Sequence, residues 1–158
     1  VRQASPADIV TLPVPAGLTA VVVHPDLEIE TAMARQLLGT EVLLKDAVQQ
    51  WANLGAFVHA LHTADFALLS RSLQDTIAEP RRAPLLPGLS QIQAAARAAG
   101  ALGCSLSGSG PSLFALCAGE VVASRVAEAM GHAIQTHTGV TYQTYISRIT
   151  GQGARLLD

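Results

Sequence analysis

The most restrictive feature of this chain is a glycine-rich segment, Ser107-Gly108-Ser109-Gly110-Pro111-Ser112, which we call the glycine loop. It separates two short apolar runs, at 104–107 and 112–117. Two glycines in three positions permit left-handed backbone conformations, and apolar runs joined by such a turn are typical of paired antiparallel strands. The sequence therefore predicts a strand–turn–strand unit and a fold that contains a β-sheet.

The patterns on either side of the glycine loop predict further strands and helices. A β-branched run at 18–24, apolar enough to be buried on both faces, and a Thr-, Tyr- and Ile-rich stretch at 140–149 are typical of strands. We also expect an edge strand at 9–12 and an irregular, proline-stiffened connection at 79–88. Helices are predicted at 31–38, 44–61, 65–73, 89–99 and 122–133. Elements in this order predict an α+β two-layer sandwich, with helices on one face of an antiparallel sheet.

Length and composition limit the class of protein. At about 150 residues per domain, 158 residues predict a single domain over 1–158. Apolar residues make up 49% and charged residues 14%, which excludes an intrinsically disordered chain. The net charge of −2 provides no basic surface for nucleic acid or an anionic membrane. The longest apolar run, at 18–23, is too short to span a bilayer.

The two cysteines and the first residue bear on cellular context. Cys104 and Cys117 are too few for a disulfide framework and are typical of a reduced, cytoplasmic protein. No charged segment followed by an apolar stretch opens the chain, so we expect no signal peptide. Because the chain begins with Val1 rather than Met, we expect a processed or truncated product.

The glycine loop is also the strongest candidate for a binding site, since successive amide groups in such a turn can form a nest for an anion. It is not a dinucleotide-binding loop, because Leu113 occupies the position of the third glycine. Nor is it a nucleophile elbow around Ser105, because Ser107 stands where the second glycine is needed. The single lysine, Lys45, follows no glycine-rich loop, which excludes a Walker A site. The alternative is a tight turn between two strands.

Three other side chains have the chemistry to bind an anionic substrate. Thr31 and Arg35 lie one turn apart on a predicted helix, so a hydroxyl and a guanidinium would share one face. Arg82 lies in the proline-stiffened connection, which would hold its head group in place. Two arginines that converge on a carboxylate or phosphate bind it through paired hydrogen bonds. The alternative is that Thr31 is only a helix N-cap and both arginines are solvated surface groups.

Metal-binding and acid–base patterns are weaker. His59 and His62 resemble a metal-binding pair on a helix, but no third ligand cluster accompanies them, so surface or packing positions are favoured. No pair of carboxylates has a catalytic spacing. We therefore assign no metal ligand and no catalytic residue within this chain.

Four stretches carry a resemblance to known proteins. They are Val23-His24-Pro25-Asp26, Thr31-Ala32-Met33-Ala34-Arg35, Ile77-Ala78-Glu79-Pro80-Arg81-Arg82, and Gly103-Cys104-Ser105-Leu106 with the glycine loop. In this order they resemble the C-terminal half of the homoserine kinase family, within the GHMP kinase superfamily. The glycine loop matches the superfamily's third motif, and the Ala-Glu-Pro-x-Arg stretch narrows the resemblance to homoserine kinases. Essentially the whole chain is covered.

The resemblance implies a ferredoxin-like C-terminal domain and the transfer of the ATP γ-phosphoryl group to the hydroxyl of L-homoserine, a step of threonine biosynthesis, with Mg²⁺. It implies that Thr31 and Arg35 contact homoserine and that Arg82 helps to bind its carboxylate. Residues 107–110 of the glycine loop would lie beside the phosphate-binding motif. Arg81 matches less clearly, and we assign it as a structural neighbour.

The chain also departs from that family, because its nucleotide-binding loop, of the type Pro-x-x-x-Gly-x-Gly-Ser-Ser-Ala, occurs nowhere in the sequence. The resemblance places that loop, and the acidic residue that holds Mg²⁺, in an N-terminal ATP-binding domain upstream of Val1. We therefore expect ATP and Mg²⁺ to be bound in the full-length enzyme only, and the fragment to hold no cofactor and to be inactive alone.

Three alternatives remain open. The chain could be an amino-acid-binding regulatory domain, since ferredoxin-like domains commonly bind amino acids. It could be the C-terminal domain of another GHMP kinase, acting for instance on mevalonate or shikimate. It could also be a dimerisation domain, whose apolar content would include an exposed patch that faces the missing half or a second copy of the chain.

Overall fold

A computed structural model describes residues 2–6 and 8–152 of the chain. The helices are α1 (Thr31–Gln36), α2 (Leu44–Thr63), α3 (Phe66–Ser72), α4 (Ala78–Arg82), α5 (Leu89–Ala98) and α6 (Glu120–Thr138), with a 3₁₀ turn at Ala83–Leu85. The strands are β1 (Leu18–Pro25), β2 (Gly103–Leu106), β3 (Leu113–Ala118) and β4 (Tyr142–Arg148). They form one sheet in the order β2-β3-β1-β4, with every neighbouring pair antiparallel. The predicted α+β fold on an antiparallel sheet is confirmed.

The main core lies between one face of this sheet and helices α5 and α6. Val21 and Val23 of β1 are fully buried and stand opposite Ala115 and Leu113 of β3. Side chains alternate between the two faces of a strand, so these four point to the same side. There they meet apolar residues of the two helices: Ile92, Ala96, Val126, Met130 and Ile134.

Helices also cover part of the opposite face, which the sequence did not predict. Leu18 and Leu116 project to that side and pack against Ala60 and Leu61 of α2 and Leu69 of α3. The β-branched run at 18–24 is apolar on both faces, and the α2–α3 pair buries the second face at one end. The structure therefore explains why apolar residues of β1 occur on both faces of the sheet.

Two predicted segments differ from the structure. Residues 9–12 form no strand, and the isolated bridge in this region joins Gln3 and Asp8. The connection at 79–88 is not wholly irregular, because it contains most of α4 and the 3₁₀ turn. The Asp75 carboxylate accepts hydrogen bonds from the amides of three successive residues at the start of α4. Pro80 lies in the first turn, where no intrahelical donor is needed, so it does not prevent the helix.

The other boundaries agree with the sequence to within a few residues. Asp65 is the N-cap of α3, as predicted, and its carboxylate accepts a hydrogen bond of 2.9 Å from the amide of Leu68. Helix α1 ends two residues earlier than expected, and α6 is longer than expected at both ends. None of the helices among the described residues is long and apolar enough to cross a membrane.

Gly88 lies where α5 begins and is required for two reasons. Its φ of +74° is in the left-handed region, which residues with a Cβ rarely adopt. A Cβ at this position would also lie 2.4 Å from Cβ of His137 on α6. Gly139, at the end of α6, has a similar φ of +71°, but a Cβ there would have open space within 4 Å. Substituting each glycine in turn therefore separates the cost of backbone strain from the cost of steric contact.

We expect Gly88→Ala to lower the free energy of unfolding by about 3 kcal/mol, of which about 1 kcal/mol is backbone strain and the rest overpacking. Gly139→Ala, the matched control, should lose only about 1 kcal/mol. Urea unfolding followed by circular dichroism would measure both values. Equal losses for the two variants would contradict the α5–α6 contact at Gly88.

Both cysteines belong to the core, as the sequence predicted. Cys104 is 2% exposed and Cys117 is 0% exposed, and neither forms a disulfide. Burial, and to a smaller extent the nearby Glu79 carboxylate, raises the pKa of the Cys104 thiol to about 12. Burial raises the pKa of Cys117 to about 11. Because the thiolate is the reactive form, both side chains are inert near neutral pH.

At pH 8 we expect both folded thiols to react with an aromatic disulfide reagent roughly a hundredfold or more slowly than in the unfolded chain, where their pKa returns to about 8.5. Absorbance of the released thiolate, with and without urea, would measure the ratio. Rapid reaction of one equivalent in the folded protein would show that a cysteine is accessible.

Candidate functional site

Arg82 brings together the main elements that the sequence singled out. Its Nε donates to the backbone carbonyl of Ala34 in α1 at 3.3 Å, and its Nη1 donates to the carbonyl of Gly108 in the glycine loop at 2.8 Å. The guanidinium is therefore held between α1 and the glycine loop and is not a freely solvated surface group. Its Nη2 has no hydrogen-bond partner among the described residues, so it keeps donors for a bound anion.

The glycine loop closes the predicted β2–β3 hairpin. Gly108 and Gly110 have φ values of +64° and +81°, so both use the left-handed freedom of glycine. The Ser107 amide donates to the Ser112 carbonyl at 2.8 Å, and the Gly110 amide donates to the Ser107 carbonyl at 3.2 Å. Within the described part of the chain, the amides of Gly108 and Ser109 have no acceptor. Two adjacent free amides are the donors that an anion nest requires.

Arg82 also determines which way one of these amides points. In a trans peptide the carbonyl and the following N–H point in opposite directions. Since the Gly108 carbonyl is directed at Arg82, the amide of Ser109 is directed away from it. The guanidinium and the Ser109 amide therefore lie on opposite sides of the Gly108–Ser109 peptide.

A side-chain contact joins the glycine loop to the end of β1, and the loop also lies close to the segment that follows. Nδ1 of His24 lies 2.8 Å from the hydroxyl of Ser112. A Cβ on Gly110 would lie 3.4 Å from Cδ1 of Ile29, just before α1. Sequence reasoning assigned no role to His24 or Ile29, because the register that brings β1 beside the loop is set by strand pairing.

Thr31 and Arg35 occupy the first and last turns of α1 and are both exposed. The N-cap position of this helix is Glu30, and no side chain caps it. Thr31 is therefore not the N-cap, and that alternative interpretation of its hydroxyl is wrong. Ala34, which is fully buried and accepts from Arg82, fixes the helix so that Thr31 and Arg35 lie on its solvent side.

Arg81, His59 and His62 take no part in the hydrogen bonds that join Arg82 to α1 and the glycine loop. Nη2 of Arg81 donates to the carbonyl of Glu41 at 2.8 Å, which ties α4 to the segment between α1 and α2. His59 and His62 are both exposed on α2. Among residues 2–6 and 8–152, no three His, Cys, Asp or Glu side chains are grouped closely enough to hold a metal ion.

Comparison with known proteins agrees with the observed fold. The family model described as "GHMP kinases C terminal" matches residues 57–134. Curated homoserine kinases from Chlorobium phaeobacteroides and Chlorobium phaeovibrioides are 45% and 44% identical over 99% of this chain, and each match covers 49% of the relative. The crystal structure of homoserine kinase from Cytophaga hutchinsonii has a TM-score of 0.92 and 43% identity, and the match covers 97% of this chain and 48% of that one.

The fold and the family model define the class: the chain carries the C-terminal domain of a GHMP kinase. The sequence relatives and the structural neighbour identify the family within this class. The chain belongs to the homoserine kinase family. It spans about half the length of the curated relatives that it matches.

Proposed function

We propose that this chain is the substrate-side part of a kinase that transfers the γ-phosphoryl group of ATP to the hydroxyl of L-homoserine. The observation that carries the proposal is the position of Arg82, which is hydrogen-bonded to both α1 and the glycine loop. Relatives named homoserine kinase at 44–45% identity favour homoserine over the acceptors of other GHMP kinases and over a regulatory role.

The groups of the proposed substrate match the groups of the site. Homoserine carries a carboxylate, which Nη2 of Arg82 can bind, and Arg35, next in the chain to Ala34, supplies a second exposed guanidinium. Thr31 provides a hydroxyl one turn before Arg35. We assign the free amides of Gly108 and Ser109 to phosphate oxygens, whose negative charge they would stabilise during transfer.

The described residues do not fit Mg²⁺, because they contain no cluster of acidic or imidazole ligands. We therefore assign Mg²⁺ and most of the ATP contacts to the part of the full-length protein that the relatives have and this chain does not cover. ATP would supply the phosphoryl group: the homoserine oxygen would form the new P–O bond and its hydroxyl proton would be released, while the bond between the γ-phosphorus and the β–γ bridging oxygen breaks and ADP leaves. The residues of this chain orient the acceptor and bind its carboxylate.

An exposed apolar stripe on α2 supports the proposal that a further domain or a second copy of the chain packs against this helix. Leu44, Val48 and Trp51 lie one turn apart and are 72%, 52% and 62% exposed. Large apolar side chains grouped in this way are typical of a surface covered by another folded unit. We propose that the rest of the full-length enzyme, or a homodimer partner, covers this stripe.

The isolated chain should show no kinase activity. With homoserine and MgATP, we expect ADP release at least a thousandfold below that of the full-length protein, because the groups that activate the phosphate are missing. A coupled ADP assay on both proteins would measure this. Turnover of the isolated chain at about 1 s⁻¹ or faster, an ordinary kinase rate, would contradict it.

Arg82→Ala in the full-length protein should raise the KM for homoserine by about 10- to 100-fold, the usual effect of losing a charge-assisted hydrogen bond. The KM for ATP should change less than about twofold. Arg71→Ala, an exposed arginine on α3, is the matched control and should change neither value. Equal increases in both KM values would contradict the assignment of Arg82 to the acceptor.

A further inference from the structure

Glu79 has a set of contacts that the proposed function does not use. Its side chain is half-buried at the start of α4. One carboxylate oxygen accepts from Nε2 of Gln93 on α5 at 2.8 Å. The other accepts from the hydroxyl of Ser105 and from the amide of Leu106 at 3.3 Å, both in β2. Glu79 therefore joins α4 to both α5 and the strand that leads into the glycine loop.

These contacts leave the Glu79 carboxylate occupied. Three donors from two elements converge on its two oxygens, and Gln93 is itself fixed by a second hydrogen bond to the carbonyl of Cys104 at 3.1 Å. Gln93 is only 9% exposed, so this arrangement is shielded from solvent on its inner side. A carboxylate with this many partners is suited to hold protein elements together and not to contact substrate.

Polar contacts of this kind decide where α4 lies, because the helix has no buried residue of its own. Glu79 and Arg82 are three positions apart on α4 and bond to Leu106 and Gly108, which are two positions apart around the start of the glycine loop. The first contact holds the helix to β2 and the second reaches the loop itself. If the first is lost, no buried side chain of α4 itself keeps the second in place.

We propose that Glu79 is a positioning residue of this site: through α4 it sets the place of the Arg82 guanidinium and thereby the affinity for the carboxylate of the acceptor. The proposal rests on the proposed function of Arg82. It predicts that a substitution of Glu79 weakens acceptor binding by displacing Arg82 and leaves nucleotide binding unchanged.

The first test is Glu79→Gln in the full-length protein. A glutamine keeps the shape, but its amide group would place a donor against donors from Gln93, Ser105 or Leu106. We expect the KM for homoserine to rise about tenfold, with kcat and the KM for ATP changed less than about twofold. Glu128→Gln, an exposed glutamate on α6, is the control of the same chemistry and should change nothing. A fall in kcat with equal rises in both KM values would indicate a general structural role and overturn the proposal.

The second test is a double-mutant cycle with Arg82. If Glu79 acts through Arg82, Glu79→Gln should add less than about twofold to the homoserine KM of an Arg82→Ala protein. A further tenfold increase in the double variant would show that Glu79 acts independently, and it would overturn the proposal.

A third measurement does not depend on activity and separates this proposal from the proposed function. In the full-length protein, Glu79→Gln should speed hydrogen exchange about tenfold at the hydrogen-bonded amides of Leu106, Ser107 and Gly110, with α6 unchanged. If the full-length protein does not phosphorylate homoserine but this change occurs, the proposed function fails while the Glu79–loop coupling stands. Unchanged exchange in these residues would overturn the coupling itself.

Discussion

The antiparallel pairing of β1 with β3 sets the positions of the elements that form the site. Val21 and Val23 face Ala115 and Leu113 in the centre of the sheet, where all four are fully buried. Because the strands are antiparallel, the end of β1 lies beside the start of β3, and therefore beside the glycine loop. The chain that leaves β1 has to begin α1 at this edge. The meeting of α1 with the loop is thus a consequence of strand direction and register.

The site is built differently from the core beneath it. Helices α5 and α6 are held to the sheet by many buried apolar side chains. Helix α4, which carries Arg82, has no buried residue and is held by hydrogen bonds that Asp75 and Glu79 accept and that Arg81 and Arg82 donate. Hydrogen bonds are directional, so they specify the orientation of a short helix that non-directional apolar packing would leave loosely defined. A rigid sheet therefore supports a binding element whose geometry depends on a few polar groups.

Local patterns predicted most of the elements but not the contacts between them. The glycine loop identified the hairpin, and helical spacing identified α2, α3, α5 and α6, since both are short-range properties of the chain. Residues 9–12 were wrongly assigned to a strand, because an apolar stretch forms one only when a partner strand is available. Helix α4, which overlaps 79–88, was missed because the Asp75 carboxylate accepts hydrogen bonds from the amides at its start and so outweighs the helix-breaking tendency that three prolines suggest.

For the candidate site, the order of residues was enough to identify which chemical groups are present: the glycine loop, a hydroxyl and a guanidinium on α1, and Arg82. It was also enough to identify the family, since these motifs occur in a recognisable order. The folded chain was needed to show that Arg82 contacts both Ala34 and Gly108, that Thr31 is not a cap, and that Glu79 joins α4 to β2. The reason is physical: Glu79 and Ser105 are 26 residues apart in the chain, and only the tertiary fold brings α4 close enough to β2 for them to form a hydrogen bond.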